Sequence, residues 1–283
     1  MYKIGIVGCD NSHAITFGRM FNDPSHKFHV DGFKVTHVYD LDKALAKKVA
    51  EKVEIENIVN SLDEMINEID IVFIEFRDGK LHLEYARPFI EAEIPVFVDK
   101  PLAASSSDAE ELVNLARKKK IPFTSFSVLR FSNDVLAFKD AEIIRLGVNG
   151  PGDPDSIYSG LIFYGIHVAE IINVLTGISL RKTFSVRKGK TVSALIWNKD
   201  APIVDLRISN EYPYTFSLEV FTRDKVEYRK ISDIDECYYK GLLKIKEMLD
   251  TGRWPIRDED LVFPVKLINA IEKSYRTGSI VEI

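Results

Sequence analysis

The chain has 283 residues, enough for two domains with sizeable hydrophobic cores. Its net charge of −5 gives no general attraction to nucleic acid or to an anionic membrane. Two cysteines, Cys9 and Cys237, form neither a disulfide framework nor a Cys-x-x-Cys metal or redox motif. No run approaches about 18 apolar residues and the start lacks a signal-peptide pattern, so we expect a cytoplasmic protein with no membrane span and no metal.

The first 126 residues alternate short apolar runs with helical patterns, which predicts βαβ units around a parallel sheet. The predicted strands are 3–7, 33–39, 69–74, 95–98 and 122–126, and the predicted helices are 12–22, 42–52, 80–92 and one that ends near Lys119. Ser61 to Glu64 reads as a capping box and predicts a further helix. We therefore expect a dinucleotide-binding domain with a doubly wound parallel sheet over residues 1–126.

The remaining residues, 127–283, have a different pattern. A turn cluster from Asn149 to Pro154 precedes an apolar helix over 164–175, which ends before Gly177. The β-rich runs are 183–186, 191–197, 203–209, 215–222 and 226–229, with short hairpin connections at 187–190 and 223–224, and helices follow at 238–249 and 262–276. This order predicts an α+β substrate and oligomerisation domain whose antiparallel sheet has one face against helices.

The turn after the first strand occupies the position of a dinucleotide-binding fingerprint. In G-x-G-x-x-G the glycines permit the turn, the approach of the pyrophosphate and close packing of the helix. Here only Gly8 matches, because Asp10 and His13 stand at the second and third glycine positions. An ordinary βα turn with an Asx cap is the alternative interpretation. The candidate cofactor residues in this turn are Gly8, Asp10, Asn11, Ser12 and His13.

Further candidate cofactor residues follow the second and third strands. Asp40 ends the second strand, where a carboxylate can bind both ribose hydroxyls of NAD. No arginine lies nearby in sequence, so NAD is expected rather than NADP; a capping role for Asp40 is the alternative. Phe76 and Arg77 end the next strand, and His82 starts the helix after it. We expect these side chains to line the same crevice.

Asp99-Lys100-Pro101 follows the fourth predicted strand. A lysine at the carboxyl end of a buried parallel strand lies where such sheets bind ligands. Pro101 biases the backbone of Lys100 toward an extended conformation. In an enclosed site a lysine with a lowered pKa can act as a general acid or base. The alternative is a solvated loop lysine.

His167 lies in the apolar helix of the second half, with Glu170 one turn further on. A histidine on such a helix is more often a satisfied core residue than a functional one. A lysine at a strand end together with a distant histidine would nevertheless suit the cleft of a two-domain dehydrogenase.

The order of these motifs, from Gly8 and Asp40 through Asp99-Lys100-Pro101 and Arg130-Phe131-Ser132 to Gly165-x-His167-x-x-Glu170, resembles the Gfo/Idh/MocA oxidoreductases, which include inositol dehydrogenases. The resemblance implies an N-terminal Rossmann domain and a C-terminal domain with a large, mostly antiparallel sheet. It also implies hydride transfer between NAD(P) and a sugar or polyol hydroxyl. The residues that it places at the reacting carbon are Lys100 and His167, and those at the substrate are Lys100, Arg130, Tyr164 and His167.

Three departures from the family pattern bear on function: Asp99 replaces a glutamate, the glycine fingerprint is degraded, and Phe163 stands where many members have an aspartate. The leading hypothesis is an NAD-dependent oxidoreductase. The alternatives are a catalytically inactive dinucleotide- or sugar-binding regulatory protein, and a lyase or hydrolase that uses bound NAD transiently. Apolar residues on both faces of 191–197 also predict a homodimer or homotetramer through the C-terminal sheet.

Overall fold

The computed structural model describes all residues, 1–283. The strands are Tyr2–Val7 (β1), Phe33–Tyr39 (β2), Asn57–Ile58 (β3), Ile71–Ile74 (β4), Val96–Asp99 (β5), Phe123–Phe126 (β6), Arg145–Gly150 (β7), Lys182–Lys188 (β8), Thr191–Trp197 (β9), Ile203–Ser209 (β10), Ser217–Phe221 (β11), Val226–Lys230 (β12) and Val281–Glu282 (β13). The helices are His13–Asn22 (α1), Lys43–Val53 (α2), His82–Glu91 (α3), Ser106–Lys119 (α4), Asn133–Leu136 (α5), Ile162–Thr176 (α6), Ile234–Thr251 (α7) and Asp258–Thr277 (α8). None of the helices is both long and apolar enough to cross a membrane.

The chain divides into two compact units. Unit 1 contains residues 1–103, 107–126 and 238–257, and unit 2 contains 104–106, 127–237 and 258–283. The chain therefore returns to unit 1 through most of α7 before it ends in unit 2.

Unit 1 is built on a six-stranded parallel sheet in the order β3-β2-β1-β4-β5-β6, which confirms the predicted doubly wound sheet. The central strands β4 and β5 are buried along their whole length, as their uninterrupted apolar sequences require. The order reverses between β1 and β4, and sheets of this kind bind ligands outside the carboxyl ends of the strands at that point. A ligand-binding site is therefore expected at the carboxyl ends of β1, β4 and β5.

The helix predicted from the capping box at Ser61 is wrong. Leu62 to Glu64 form only one turn of 3₁₀ helix. The Glu64 carboxylate accepts from the Asn60 backbone amide at 3.3 Å, and the Ser61 side chain makes no capping hydrogen bond. Asn67 then adopts a left-handed φ of 80°, which a continuing helix cannot contain.

Unit 2 carries a seven-stranded sheet in the order β12-β11-β7-β10-β9-β8-β13. Only β7 and β10 are parallel, so the sheet is mostly antiparallel, and both predicted hairpins, β8/β9 and β11/β12, are present. The turn predicted to start at Asn149 is wrong there, because Asn149 and Gly150 are the last residues of β7. Pairing with β10 and β11 on its two sides keeps this segment extended despite its turn-forming composition.

One face of this sheet is covered by α6 and α8. The inward residues of β9, Val192, Ala194 and Ile196, are buried, whereas Leu195 on the opposite face is exposed. The same opposite face carries other exposed apolar side chains: Phe184, Val186, Ile203, Val226 and Tyr228.

Candidate active site

The turn after β1 brings the backbone close to β4. Gly8 has a φ of +102°, and a Cβ on it would lie 2.4 Å from the Phe76 backbone nitrogen. Any other residue would therefore be strained and would push β1 and β4 apart. The Gly8 amide donates to the Tyr39 carbonyl at 2.9 Å, which joins the same turn to β2.

Asp10 and Asn11 shape the start of α1. The Asp10 carboxylate accepts from the Arg77 amide at 2.9 Å, so it is held against the end of β4. The Asn11 side-chain oxygen accepts from the His13 amide at 2.6 Å and from the Ala14 amide at 3.3 Å, and its amide group donates to the Glu75 carbonyl. Asn11 is therefore the cap of α1. The backbone N–H groups of Asn11 and Ser12 have no acceptor within the protein.

This turn fits a dinucleotide pyrophosphate, even though its fingerprint is degraded. Two adjacent amides with no acceptor at the start of a helix are suited to an anion, because the positive end of the helix dipole adds to them. The Asp10 carboxylate, whose charge would repel a pyrophosphate, accepts from the Arg77 amide in the segment after β4.

Asp40, at the carboxyl end of β2, is buried. Its two carboxylate oxygens accept from the Cys9 amide at 2.5 Å and from the Asp42 amide at 2.7 Å. Burial raises the pKa of Asp40, although these two amides act in the opposite direction. The residue that caps α2 is Asp42, whose carboxylate accepts from the Ala44 amide. Asp40 is therefore oriented by the loop after β1, beside the turn expected to hold the pyrophosphate.

His82 lies at the first position of α3 and is fully buried. Its two ring nitrogens lie 2.7 Å from the Pro101 carbonyl and 2.8 Å from the Phe76 carbonyl. Burial lowers the pKa of His82, which the carbonyl contacts oppose. The imidazole thus ties the end of β4 to the segment after β5, and any contact with a cofactor stays a prediction.

Lys100 directly follows β5, and its side chain is largely buried. The Lys100–Pro101 peptide bond is cis. Burial lowers the pKa of Lys100; the Asp99 and Asp10 carboxylates raise it, and the Arg77 guanidinium lowers it. A lysine whose pKa is lowered by burial is suited to accept and return a proton.

Asp99 belongs to a hydrogen-bonded chain that sequence reasoning missed. Its carboxylate lies 2.7 Å from Nδ1 of His13, and Nε2 of His13 lies 2.9 Å from the Tyr238 hydroxyl. Burial would raise the pKa of Asp99, but the charge and hydrogen bond of His13 and the neighbouring Lys100 lower it overall. No local motif marks Tyr238, which lies 225 residues from His13.

Glu75, the residue after β4, is completely buried, and neither of its carboxyl oxygens has a hydrogen-bond partner. Burial, with the Asp99 charge as a second cause, raises its pKa well above the ordinary value. Burial thus favours the protonated form of Glu75, and repulsion by the Asp99 carboxylate adds to this preference.

In unit 2, His167 is held by Ser127, which sequence reasoning also missed. Nδ1 of His167 lies 2.7 Å from the Ser127 hydroxyl, and that hydroxyl accepts from the Leu129 amide at 3.3 Å. The carboxylate of Glu170, one turn further along α6, accepts from the Ser127 amide at 3.3 Å.

The other oxygen of Glu170 forms an ion pair with the guanidinium of Arg130. Both side chains are about nine-tenths buried. Burial raises the pKa of Glu170, and Arg130 opposes this shift. Arg130 also lies 3.4 Å from the side-chain oxygen of Asn173. Its guanidinium is therefore engaged within unit 2, and substrate contact by Arg130 stays a prediction.

Aromatic rings surround His167. The ring of Tyr164 lies 5.6 Å and that of Phe216 lies 5.4 Å from the imidazole, and Tyr214 lies 5.9 Å from both of these rings. Phe163, at the position where the family often has an aspartate, packs against Tyr164 at 4.9 Å. Aromatic rings thus form a large part of the surroundings of His167. No group of three or more His, Cys, Asp or Glu side chains converges as a metal site would require.

Comparisons with known proteins agree with this geometry. Residues 2–126 match the model of an oxidoreductase family with an NAD-binding Rossmann fold. An uncharacterized oxidoreductase of Streptococcus pneumoniae is 32% identical over 152 residues, which cover 53% of this chain and 38% of that protein. The scyllo-inositol 2-dehydrogenase (NADP(+)) of Bacillus subtilis is 26% identical over 142 residues, which cover 48% of this chain and 36% of that protein. The chain thus spans little more than a third of the length of these curated relatives.

Among solved structures, scyllo-inositol dehydrogenase from Lactobacillus casei, with bound NAD(H) and scyllo-inositol, has the same fold. It aligns with a TM-score of 0.84 at 15% identity, over 100% of this chain and 99% of that one. The expected pairing of a Rossmann domain with a mostly antiparallel sheet is therefore confirmed.

Proposed function

We propose, because residues 2–126 match the model of the Gfo/Idh/MocA oxidoreductase family, that the protein is an NAD-dependent oxidoreductase of sugar-like or polyol-like hydroxyls and ketones. In this proposal residues 1–126 bind the dinucleotide, and residues 127–283 carry the substrate and subunit contacts. The observation that carries it is Lys100: a buried lysine at the carboxyl end of β5, beside an ionised Asp99, on a sheet whose first turn offers two amides to an anion.

The turn after β1 supplies most of the residues that we propose to hold the cofactor. The amides of Asn11 and Ser12 would hold the pyrophosphate, and Gly8 lets it approach the backbone. Asp40 would accept from the adenosine ribose hydroxyls with the lone pairs that its two backbone donors leave open. When bound, nicotinamide supplies the acceptor or donor of the hydride at its C4 position.

Lys100 and His167 are the proposed acid–base residues. In oxidation, the neutral amine of Lys100 takes the proton of the hydroxyl while a hydride leaves the carbon that bears this hydroxyl. In reduction, the ammonium returns the proton to the carbonyl oxygen while the carbonyl carbon receives the hydride. Burial favours the neutral amine and Asp99 favours the ammonium, so both forms are accessible. His167, oriented by Ser127, would hydrogen-bond the reacting oxygen.

NAD is proposed over NADP because the carboxylates of Asp40 and Asp42, at the carboxyl end of β2, would repel a 2′-phosphate bound there. Asp40→Ala should weaken NAD binding much more than NADP binding, since the contact with the diol is lost while repulsion of the phosphate is relieved. Isothermal titration with both dinucleotides measures the ratio of the two affinities. Tighter binding of NADP to the unmodified protein would contradict the preference.

A second candidate function is a dinucleotide- or sugar-binding regulatory protein without catalysis. Phe163 favours it, because the carboxylate that many family members carry beside the histidine is replaced by a ring packed on Tyr164. Lys100 argues against it, because a binding protein gains nothing from the desolvation of a lysine.

The deciding experiment records nicotinamide absorbance and fluorescence with purified protein, first with NAD alone and then with a panel of inositols, sugars and sugar acids. We expect NAD to bind and at least one polyol or sugar to be oxidised. Binding without turnover on any panel member would support the regulatory protein instead. Absence of dinucleotide binding would contradict both functions.

We also propose a homo-oligomer through the exposed face of the unit 2 sheet. Among the exposed apolar side chains on this face, Phe184 and Leu195 are directly paired across β8 and β9 and form an apolar patch. Such a patch on a monomer is a solubility liability, and a second copy can bury it. A light-scattering mass of one chain at micromolar concentration would contradict this proposal.

A further inference from the structure

His13 stands where the family fingerprint has its third glycine, and the structure gives it two partners from distant parts of unit 1. Nδ1 lies 2.7 Å from the Asp99 carboxylate at the end of β5, and Nε2 lies 2.9 Å from the Tyr238 hydroxyl on α7. The ring of Tyr238 packs edge-on against the imidazole at 5.3 Å, and Phe17 packs against it at 5.4 Å. Both ring nitrogens and two sides of the ring are thus fixed.

Asp99 connects the hydrogen-bonded series of Tyr238 and His13 to Lys100. It is buried, it directly precedes the lysine, and it is the carboxylate that most strongly favours the charged form of the lysine. A buried carboxylate remains ionised only if donors or cations compensate its lost hydration. His13 is the donor that the structure provides to the Asp99 carboxylate.

We propose that His13 and Tyr238 are positioning residues for Lys100, which hold the Asp99 carboxylate ionised and fixed beside the lysine. The inference rests on the proposed function, since it assigns Lys100 a proton-transfer role that the chain would tune. His13 stands in place of the third glycine and, as the first residue of α1, contacts Asp99 at the end of β5.

The other charged and titratable groups near Asp99 and Lys100 do not take the place of His13. Glu75 at the end of β4 faces Asp99 and is protonated, so it offers Asp99 no compensating charge. His82 on α3 is within the field of Asp99, but its ring nitrogens contact two carbonyls. Around Lys100, the Asp10 and Arg77 charges act in opposite directions. Loss of His13 would thus leave Asp99 able to take up a proton, and Lys100 would lose its counter-charge.

The test measures the protonation of Lys100 directly, without substrate or cofactor. Reductive methylation with formaldehyde and a borane modifies only neutral amines, and peptide mass spectrometry resolves Lys100 from the other lysines. At a pH below the labelling midpoint, His13→Ala should raise the rate at Lys100 about tenfold, which corresponds to one pKa unit. His13→Asn, whose amide can still donate to Asp99, should restore most of the wild-type rate. Tyr238→Phe should give an intermediate increase.

The exposed Lys47 on α2 serves as the internal reference, and His26→Ala, in the loop after α1, serves as the matched histidine variant. The labelling rate of Lys47 should be the same in every variant, and His26→Ala should leave the labelling rate of Lys100 unchanged. An unchanged Lys100 rate in His13→Ala, or an equal increase in His13→Ala and His13→Asn, would overturn the proposal. If His13→Ala does not fold, Tyr238→Phe decides: a wild-type rate at Lys100 would then overturn it.

The outcome is separable from that of the proposed function. A protein that binds no dinucleotide refutes the oxidoreductase, yet the labelling series still reports whether His13 controls Lys100. Conversely, if the enzyme is active but the labelling rate of Lys100 is the same with and without His13, the proposed function stands and this inference is wrong.

Discussion

The edge of unit 1 that carries Lys100 and the helix of unit 2 that carries His167 arrange their candidate groups in opposite ways. Lys100 is surrounded by charges, with Asp99, Asp10 and Arg77 all affecting its pKa. His167 is held by the neutral hydroxyl of Ser127 and lies among aromatic rings. The first arrangement controls a protonation state, and the second controls the orientation of a ring. Substitutions in the two regions should therefore differ in kind.

The largest effect is expected at the lysine. Lys100→Met keeps much of the length of the side chain but removes the proton carrier and the charge. Since general acid–base groups contribute about 10²–10⁴-fold, kcat should fall by roughly that factor while NAD binding stays nearly intact. Steady-state kinetics and calorimetry measure the two quantities. An activity that survives Lys100→Met unchanged would show that a different chemistry operates here.

The ion pair near His167 should matter for stability. Arg130→Met leaves the Glu170 carboxylate buried without its cation, and breaking a buried pair in this way costs about 3–5 kcal/mol. Urea unfolding measures the loss. Arg145→Met, which breaks an exposed pair with Asp205 in the same unit, is the matched control and should change little. Similar losses in both variants would mean that burial does not distinguish the two pairs.

Glu75 should make stability depend on pH. Its pKa in the folded protein lies well above 4.5, so the folded state retains a proton that the unfolded state releases. The free energy of unfolding should therefore fall as pH rises above about 4.5, by about 1.4 kcal/mol per pH unit until the folded pKa is reached. Glu75→Gln, which cannot ionise, should remove this contribution. Parallel slopes for the two proteins between pH 5 and 8 would show that Glu75 is ionised in the folded state.

The smallest effect is expected at Ser127. Ser127→Ala removes one neutral hydrogen bond to His167, which is worth about 1 kcal/mol, so kcat/KM should fall by roughly fivefold. The pH profile of kcat should keep its shape, because Ser127 orients the ring without carrying charge. His13→Ala should instead move the profile. A loss in Ser127→Ala as large as that in Lys100→Met would remove the distinction between the two regions.

Much of unit 1 could be predicted from the sequence because its signals are local. The strands ending at Tyr39, Asp99 and Phe126 are short runs rich in apolar residues, and such runs form buried parallel strands wherever helical patterns alternate with them. The placement of Lys100 at a strand end follows from that pattern alone. A helix cap at Asn11 is likewise one of the interpretations that the local sequence allows. The hairpins of unit 2 were predicted because their turns are short and polar.

The partners of the site residues were decided only by tertiary structure. His13 meets Asp99 across 86 residues of sequence and Tyr238 across 225, and His167 meets Ser127 across 40. These hydrogen bonds depend on sheet order and helix packing, which no local spacing encodes. The same holds for β7, whose Asn149 and Gly150 favour a turn until pairing with β10 and β11 supplies their hydrogen bonds. Sequence therefore specified which elements form and which side chains end them, whereas the charge and orientation of those side chains came from neighbours that only the folded chain brings together.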